Sequence, residues 1–380
     1  MRFKEIIGQA EIKHQLIKSV KESRVSHAQL FLSPPGSGAI LLAIAYAQFI
    51  NCTDKLDDDS CGVCTSCRKY AKYIHPDLHF SYPFFTSKDV KTSTDVIEEW
   101  RDMLLEEPYF DLDFWRSKLN SENKQININI AECHDIIKRL SHKAFEADTK
   151  VLIMWLPEYL DKEGNALLKI IEEPPPKTLF ILVAQNLDQI LPTILSRTQL
   201  LKIPGLPNHE IEQYLMDKAL LNSQQAIEYS FLADGNLLEA KRLLEETEPE
   251  HAKYFIDWLR LSNSGDYLSL INFSETLAGM GREPQKNFLK YGISFLRECG
   301  LIMNDALVLV KLPPYSLEVA RNFSKKVLNQ PMLEALVTEL EKAHYHVERN
   351  ANPKILFLDV SLQLVNIIKF KNIPLGTQYI

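Results

Sequence analysis

Apolar positions spaced three and four apart predict a helix over residues 11–23, with Ile12, Leu16, Ile17 and Val20 on one side. A short apolar run, Ala28-Gln29-Leu30-Phe31-Leu32, reads as a buried strand. It leads into Ser33-Pro34-Pro35-Gly36-Ser37-Gly38 and then a helix over 39–49. Strand, glycine loop and helix are the parts of a phosphate-binding loop. The style returns further on, with a helix over 131–142, a central strand at 151–156 and a helix over 165–172 that stops before Pro174-Pro175-Pro176. Strands follow at 178–183 and 200–203. Alternating strands and helices imply a parallel sheet. After Pro207 the strand signals fade. Residues 208–247 read as three short helices, broken near Asn222 and at Gly235-Asn236, and 250–372 as longer ones. The last helix has Asn352 as N-cap, Pro353 in its first turn, and Ile355, Leu358, Leu362 and Val365 on one face. Residues 80–127 fit neither style. They are acidic and aromatic, with helical spacing over 94–105, and read as an insertion in the first domain.

Composition narrows the class. A chain of 380 residues suggests two or three domains. With 46% hydrophobic and 24% charged residues it is neither disordered, collagen-like nor a small secreted scaffold. The net charge of −7 is not that of a general nucleic-acid coat, so any DNA contact should be local or shared with partners. The start, Met1-Arg2-Phe3-Lys4-Glu5, lacks the apolar core of a signal peptide, and the apolar stretch over 39–50 is too short to span a bilayer. The expectation is a cytoplasmic chain with reduced thiols and no membrane partner.

Four of the six cysteines, Cys52, Cys61, Cys64 and Cys67, fall within sixteen residues in the spacing C-x8-C-x2-C-x2-C. Two overlapping C-x2-C turns supply three thiolates from one knuckle, and Cys52 returns from the preceding helix. The alternative is four cysteines packed as small hydrophobes, but the loop between them is polar, Asp57-Asp58-Asp59-Ser60, and offers no core. A structural zinc site is expected. Four thiolates leave no open position for catalysis.

The glycine loop is damaged. In G-x4-G-K-[ST] the lysine reaches the β- and γ-phosphates and the hydroxyl holds magnesium. Here Ser33 replaces the first glycine, Gly36 lies within the loop, Gly38 matches the second glycine, Ala39 stands where lysine belongs and Ile40 where Ser/Thr belongs. The acidic pair expected at the end of a central strand is also missing: the strand ends Trp155-Leu156-Pro157-Glu158. No ATP hydrolysis is expected here, while weak nucleotide binding stays open.

Two further segments carry a resemblance. Residues 165–175, Asn-Ala-Leu-Leu-Lys-Ile-Ile-Glu-Glu-Pro-Pro, and 191–198, Leu-Pro-Thr-Ile-Leu-Ser-Arg-Thr, resemble signature motifs of the bacterial DNA polymerase III clamp-loader subunits of the AAA+ class. The second is similar to their Ser-Arg-Cys motif, with Thr198 in place of the cysteine. The zinc spacing, His75-Pro76-Asp77 after it and His27-Ala28-Gln29-Leu30-Phe31 before the loop are similar too. The resemblance is strong over 1–75 and 128–205 and looser beyond; the insertion at 80–127 lies outside it.

The resemblance implies an α/β P-loop (AAA+) domain with a parallel sheet over 1–205, carrying the zinc module (52–67) and the insertion, then a small helical lid over 206–248 and an all-α collar over 249–380. Within the family, gamma/tau-type subunits keep an intact loop and acidic pair, and the clamp-opening delta subunit generally lacks the zinc module and the Ser-Arg-Cys motif. A zinc module, an arginine and a degenerate loop together match the remaining, non-hydrolysing kind. That kind would supply Arg197, beside Ser196, in trans to ATP held by a neighbouring gamma/tau-type subunit, in a heteropentamer with three such subunits and one delta that loads a sliding clamp on primed DNA. Without the resemblance Arg197 reads as a surface arginine bonding a strand-end carbonyl. Gln185 or Asn186 stands at a sensor position but is expected to satisfy the core, and Lys241 and Arg242 to lie on a solvated helix face. Two alternatives stand beside this reading: an active gamma/tau-type ATPase, and a zinc-dependent nucleic-acid-binding module. Ala39 and Ile40 argue against the first. The acids around Lys55, Arg68, Lys69 and Lys72 argue against the second.

Overall fold

In the computed structural model, which describes residues 1–119, 125–219, 221–245, 251–312, 314–349 and 351–372, the apolar runs of the N-terminal half assemble into one five-stranded sheet. Its strands are β1 (Ala28–Leu32), β2 (Leu78–Ser81), β3 (Lys150–Trp155), β4 (Thr178–Ala184) and β5 (Gln199–Lys202). They lie in the order β2-β3-β4-β1-β5, and every pairing is parallel. β3 and β4 are buried along their whole length, which is why their sequences are continuous apolar runs and not alternations. The register sets Leu30 beside Leu182 and Leu152 beside Phe180, and these pack with Ile136, Leu140, Leu167 and Ile171 into a core on one face.

Parallel strands need crossovers. α1 (Ala10–Lys21) precedes β1, and the crossovers run through α2 (Ala39–Ile50), α3 (Thr65–Tyr70), α4 (Ile97–Glu106), α5 (Leu112–Lys118), α6 (Ile130–Ser141), α7 (Leu168–Glu172) and α8 (Pro192–Leu195). α2 is buried from Ala39 through Phe49, as a helix apolar on every side must be. Its one polar residue inside that span besides Tyr46, Gln48, accepts from the N-terminal ammonium at 3.1 Å and donates to Ser60 Oγ at 2.8 Å.

Two expectations are corrected. The insertion was expected from residue 80, but Leu78–Ser81 is the edge strand β2, paired with β3. The strand has only four residues, in a six-residue stretch between Pro76 and Pro83, too few to show a period-two pattern. The helix expected over 165–172 is α-helical only at Leu168–Glu172. Its first part belongs to a 3-10 stretch, Pro157–Leu167, which passes Gly164 where a Cβ would stand 3.0 Å from Leu191 Cδ1.

The rest of the insertion packs over its own domain. Tyr82 stacks on Trp100 at 3.9 Å, and Trp115 meets both edge-on at 5.2 Å. Phe110 bridges Trp100 to Trp155 of β3. The segment is pinned to α6 by a buried carboxylate: Glu132 accepts from Ser93 N–H (2.7 Å) and Ser93 Oγ (2.8 Å) and is paired with Arg139 Nη2 at 3.2 Å. Glu132→Ala is therefore expected to cost about 2 kcal/mol, since it orphans buried donors. Urea unfolding should show a lower midpoint with an unchanged slope.

The chain divides into two compact units, residues 1–214 with 234–239, and 215–233 with 240–380. α9 (Asn208–Ala219), α10 (Ser223–Ala233) and α11 (Leu237–Glu245) lead into α12 (His251–Ser264), α13 (Tyr267–Gly279), α14 (Arg282–Met303), α15 (Pro314–Lys326), α16 (Gln330–Glu348) and α17 (Pro353–Ile368). The second unit is all-helical among the described residues, around Phe255, Trp258, Phe288 and Phe357. Asn352 caps α17 as expected, accepting from Lys354 and Ile355 N–H. Its buried face is Phe357, Val360, Leu364 and Val365, however, while Ile355 and Leu362 are exposed. Of the expected apolar face, only Val365 is fully buried in the unit's own core. The expected insertion, lid and collar spans include residues 120–124, 220, 246–250, 313, 350 and 373–380, which lie outside the described residues. Among the described residues no helix is long and apolar enough to cross a membrane.

Candidate functional site

The loop Ser33–Gly38 joins β1 to α2 as the sequence predicts. Its glycines take positive φ, +69° at Gly36 and +81° at Gly38, the conformation that side chains resist. Ala39 and Ile40, at the positions of the lysine and the Ser/Thr, are buried hydrocarbon. Among the described residues no cationic side chain lines the cavity above the loop. Its walls are residues 33–40, 108–110, Trp155, Val183 and Gln185, and its volume is about 30 Å³.

Glu158, the lone carboxylate past β3, accepts from the backbone N–H of Gln185 and from that of Asn186 at 2.8 Å. Burial pushes its pKa up against those hydrogen bonds. Gln185 and Asn186 were expected to satisfy the core; both are exposed, and it is their backbone that holds Glu158. On α11, Lys241 is half-buried and Arg242 exposed.

The four cysteines converge. Their sulfurs all lie within 4.8 Å of one another, with Cys61 and Cys67 at 3.9 Å. A tetrahedral zinc with Zn–S of ~2.3 Å requires S···S separations of ~3.8 Å. Backbone N–H groups already point at the sulfurs: Cys61 N–H to Cys52 Sγ (3.3 Å), Cys64 N–H to Cys61 Sγ (3.3 Å) and Cys67 N–H to Cys64 Sγ (3.4 Å). Burial raises the Cys52 thiol. At Cys64 burial is outweighed by hydrogen bonds from Cys67 and Thr53, which hold it at about 6. The donor set fits a metal ion. The module is tied down on two sides. Asp59 accepts from Phe3 and Lys4 N–H, each at 3.1 Å. Asp77 of the His-Pro-Asp element accepts from Phe145, Glu146 and Ala147 N–H, and the His75 ring packs at a 40° tilt against Tyr70, 4.7 Å between centroids.

Arg197 follows α8, with Ser196 as the C-cap. Its Nε donates to Glu172 Oε2 at 2.8 Å, and its Nη1 donates to Thr193 O at 3.0 Å. The reading of a strand-end carbonyl partner is thus corrected: the partners are the last residue of α7 and a helical carbonyl. Sequence reasoning named both motifs and missed that Glu172 of one clasps Arg197 of the other. Ser196 Oγ and Thr198 Oγ1 bond back to α8 carbonyls, at 3.1 and 3.2 Å. The side chain of Arg197 remains 31% exposed.

A family profile described as DNA polymerase III, delta subunit, matches residues 8–207. DNA polymerase III subunit delta' of Haemophilus influenzae is 29% identical over 247 residues, 64% of this chain and 63% of that protein. DNA polymerase III subunit gamma of Buchnera aphidicola is 27% identical over 248 residues, 64% of this chain and 58% of that one. DNA polymerase III subunit tau of Bacillus subtilis is 24% identical over 387 residues, 94% of this chain and 60% of that protein. The chain thus spans about three-fifths of the length of these relatives. Among solved structures, the Bacillus subtilis DNA clamp loader delta protein aligns with a TM-score of 0.33 at 13% identity, covering 93% of this chain and 99% of that one.

Proposed function

The chain belongs to the DNA polymerase III delta-subunit family of AAA+ clamp-loader proteins, and on that premise we propose that it is a non-hydrolysing, delta-prime-like subunit that works through its neighbours. It helps a clamp loader place a sliding clamp on primed DNA during replication in the cytoplasm, alongside gamma/tau-type and delta subunits. ATP is bound and hydrolysed by the gamma/tau-type partners. Arg197 is the group this chain contributes to that reaction, stabilising charge that develops on the transferred phosphoryl group of ATP in the adjoining subunit.

The observation that carries the reading is the arginine itself. Arg197 is anchored through Nε to Glu172 and through Nη1 to Thr193 and is part-exposed, in a chain whose own loop has Ala39 and Ile40 at the charge-handling positions. A guanidinium held through Nε and Nη1 still offers the donors of Nη2. Cys52, Cys61, Cys64 and Cys67 hold a structural zinc, which supplies cross-linking and no chemistry because its coordination is closed. The lid is residues 206–248 and the collar 249–380. The exposed Ile355 and Leu362 leave part of α17 available for assembly with the other subunits.

The test is ATP turnover by the isolated chain and by a complex reconstituted with gamma/tau-type and delta subunits, clamp and primed DNA. The expected result is silence from the isolated chain and turnover in the complex that needs it. Turnover by the isolated chain would replace this reading with that of a gamma/tau-type ATPase.

A further inference from the structure

The site of a P-loop domain that has lost its lysine could still bind nucleotide weakly through backbone amides. The volume above this loop speaks to that question. We propose that the Pro108-Tyr109-Phe110 strip of the insertion is a resident plug, filling the space a nucleotide would take above Ser33–Gly38 and excluding nucleotide by volume.

Four observations carry it. The remaining cavity is about 30 Å³, room for a single water, against the ~300–1,000 Å³ of ordinary ligand pockets. Tyr109 is nearly buried, its hydroxyl accepts from Ile7 N–H at 2.9 Å, and its ring edge lies 3.1 Å from where a Cβ on Gly38 would stand. Phe110 is wedged between Trp100 (5.5 Å) and Trp155 (5.0 Å), so the strip is anchored in the aromatic core and to the end of β3. The open side of Gly36 is taken as well: a Cβ there would stand 1.8 Å from Asn236 Oδ1, and Leu237 N–H donates to Gly36 O at 3.4 Å.

The two glycines that keep a phosphate loop open for an anion therefore face a phenol ring and an amide of the same chain. The site is closed at all times, with no dependence on nucleotide concentration, and the loop geometry is kept by packing in place of phosphate contacts. This goes beyond the proposed function, which rests on missing charge, and does not depend on Arg197: a plugged chain without a finger is equally possible, and the two are read by different assays.

The test uses the full chain in four forms: wild type; A39K with I40T, restoring the charge-handling groups; Y109G with F110G, removing the plug; and all four substitutions together. Binding of a fluorescent ATP analogue with Mg²⁺ is measured by anisotropy, after circular dichroism has established that each form is folded. The expected result is that only the quadruple variant binds, about 100-fold or more tighter than A39K/I40T alone. Equal binding by A39K/I40T and the quadruple variant would overturn the plug. So would a folded quadruple variant that does not bind, or micromolar binding by wild type. Should the glycine variants fail to fold, hydrogen exchange on wild type and Y109A decides. Amides of residues 36–40 should be protected in wild type, indifferent to millimolar ATP, and faster to exchange in Y109A. Free exchange in wild type, or no change in Y109A, overturns the proposal.

Discussion

Replacing Arg197 with alanine in the reconstituted complex is expected to slow hydrolysis at the one ATP site that this chain adjoins by ~10³-fold or more, the range over which arginine fingers act. That corresponds to about 4 kcal/mol of lost transition-state stabilisation. Other sites in the same assembly would keep their own partners. The clearest readout is therefore a single-turnover burst, whose amplitude should fall by about one nucleotide per complex while the remaining phase is unchanged. The substitution should hardly touch folding. The Arg197–Glu172 pair is exposed, and such pairs contribute ~0–1 kcal/mol, so a melting curve within error of wild type separates a functional loss from a structural one. R197K should not rescue. One ammonium cannot hold Glu172 and Thr193 and also reach a phosphate, whereas the guanidinium holds them with Nε and Nη1 and keeps Nη2 for a third partner. An unchanged burst in R197A would leave this chain as a scaffold.

What the sequence could and could not foretell follows from what is local. β1, β3 and β4 were placed within a residue because central parallel strands are apolar runs of the length a strand needs, and the edge strand β5 was marked by Leu200-Leu201-Lys202-Ile203 before Pro204-Gly205. The cysteine cluster was legible because its ligands sit within one short loop and thiol spacing is itself geometric. The glycine loop was legible for the same reason, and Ala39 and Ile40 could be read directly against the residues the chemistry requires. β2 was lost because Leu78-His79-Phe80-Ser81 is an edge strand too short to show a period. Which face of α17 is buried was left open by the sequence, because apolar residues surround that helix and the pattern alone does not choose a side. The choice is made by Ser361, buried where its hydroxyl accepts from Trp258 Nε1 at 2.8 Å and meets Ser274 Oγ at 3.0 Å. Two features of the site were out of reach for a different reason. Tyr109 lies over seventy residues from Gly38 and Glu172 twenty-five from Arg197, and no periodicity links them; the first depends on how an insertion folds back, the second on how two helix ends meet.

Loss of the metal site should have the largest effect on stability. The loop between Cys52 and Cys61 is acidic and polar, and its one large apolar residue, Leu56, is 54% exposed. Burial of hydrocarbon therefore does not hold it. Four thiol sulfurs within 4.8 Å, two of them buried, cannot all ionise without a cation to offset their repulsion. On the proposed reading, cross-linking by a metal takes the place of a core in this loop. Its removal would propagate, because Asp59 holds the backbone of Phe3 and Lys4, and Ser60 holds Gln48 inside α2. Cys67, fully buried and central to the knuckle, is the ligand to replace. In C67S the zinc content of protein purified under reducing conditions should fall from about one per chain to near zero. The expected destabilisation is about 3 kcal/mol, a fraction of the ~10–16 kcal/mol apparent zinc affinity of small zinc-finger peptides, since the sheet has its own buried apolar core away from the four cysteines. For a unit of this size that is a drop in melting temperature of ~6–12 °C. A chelator added to wild type should reproduce the shift, and added zinc should reverse it in wild type but not in C67S. Wild-type protein that carries no metal and melts as C67S does would instead make the four cysteines small hydrophobes and leave the acidic loop held only by Asp59 and Ser60.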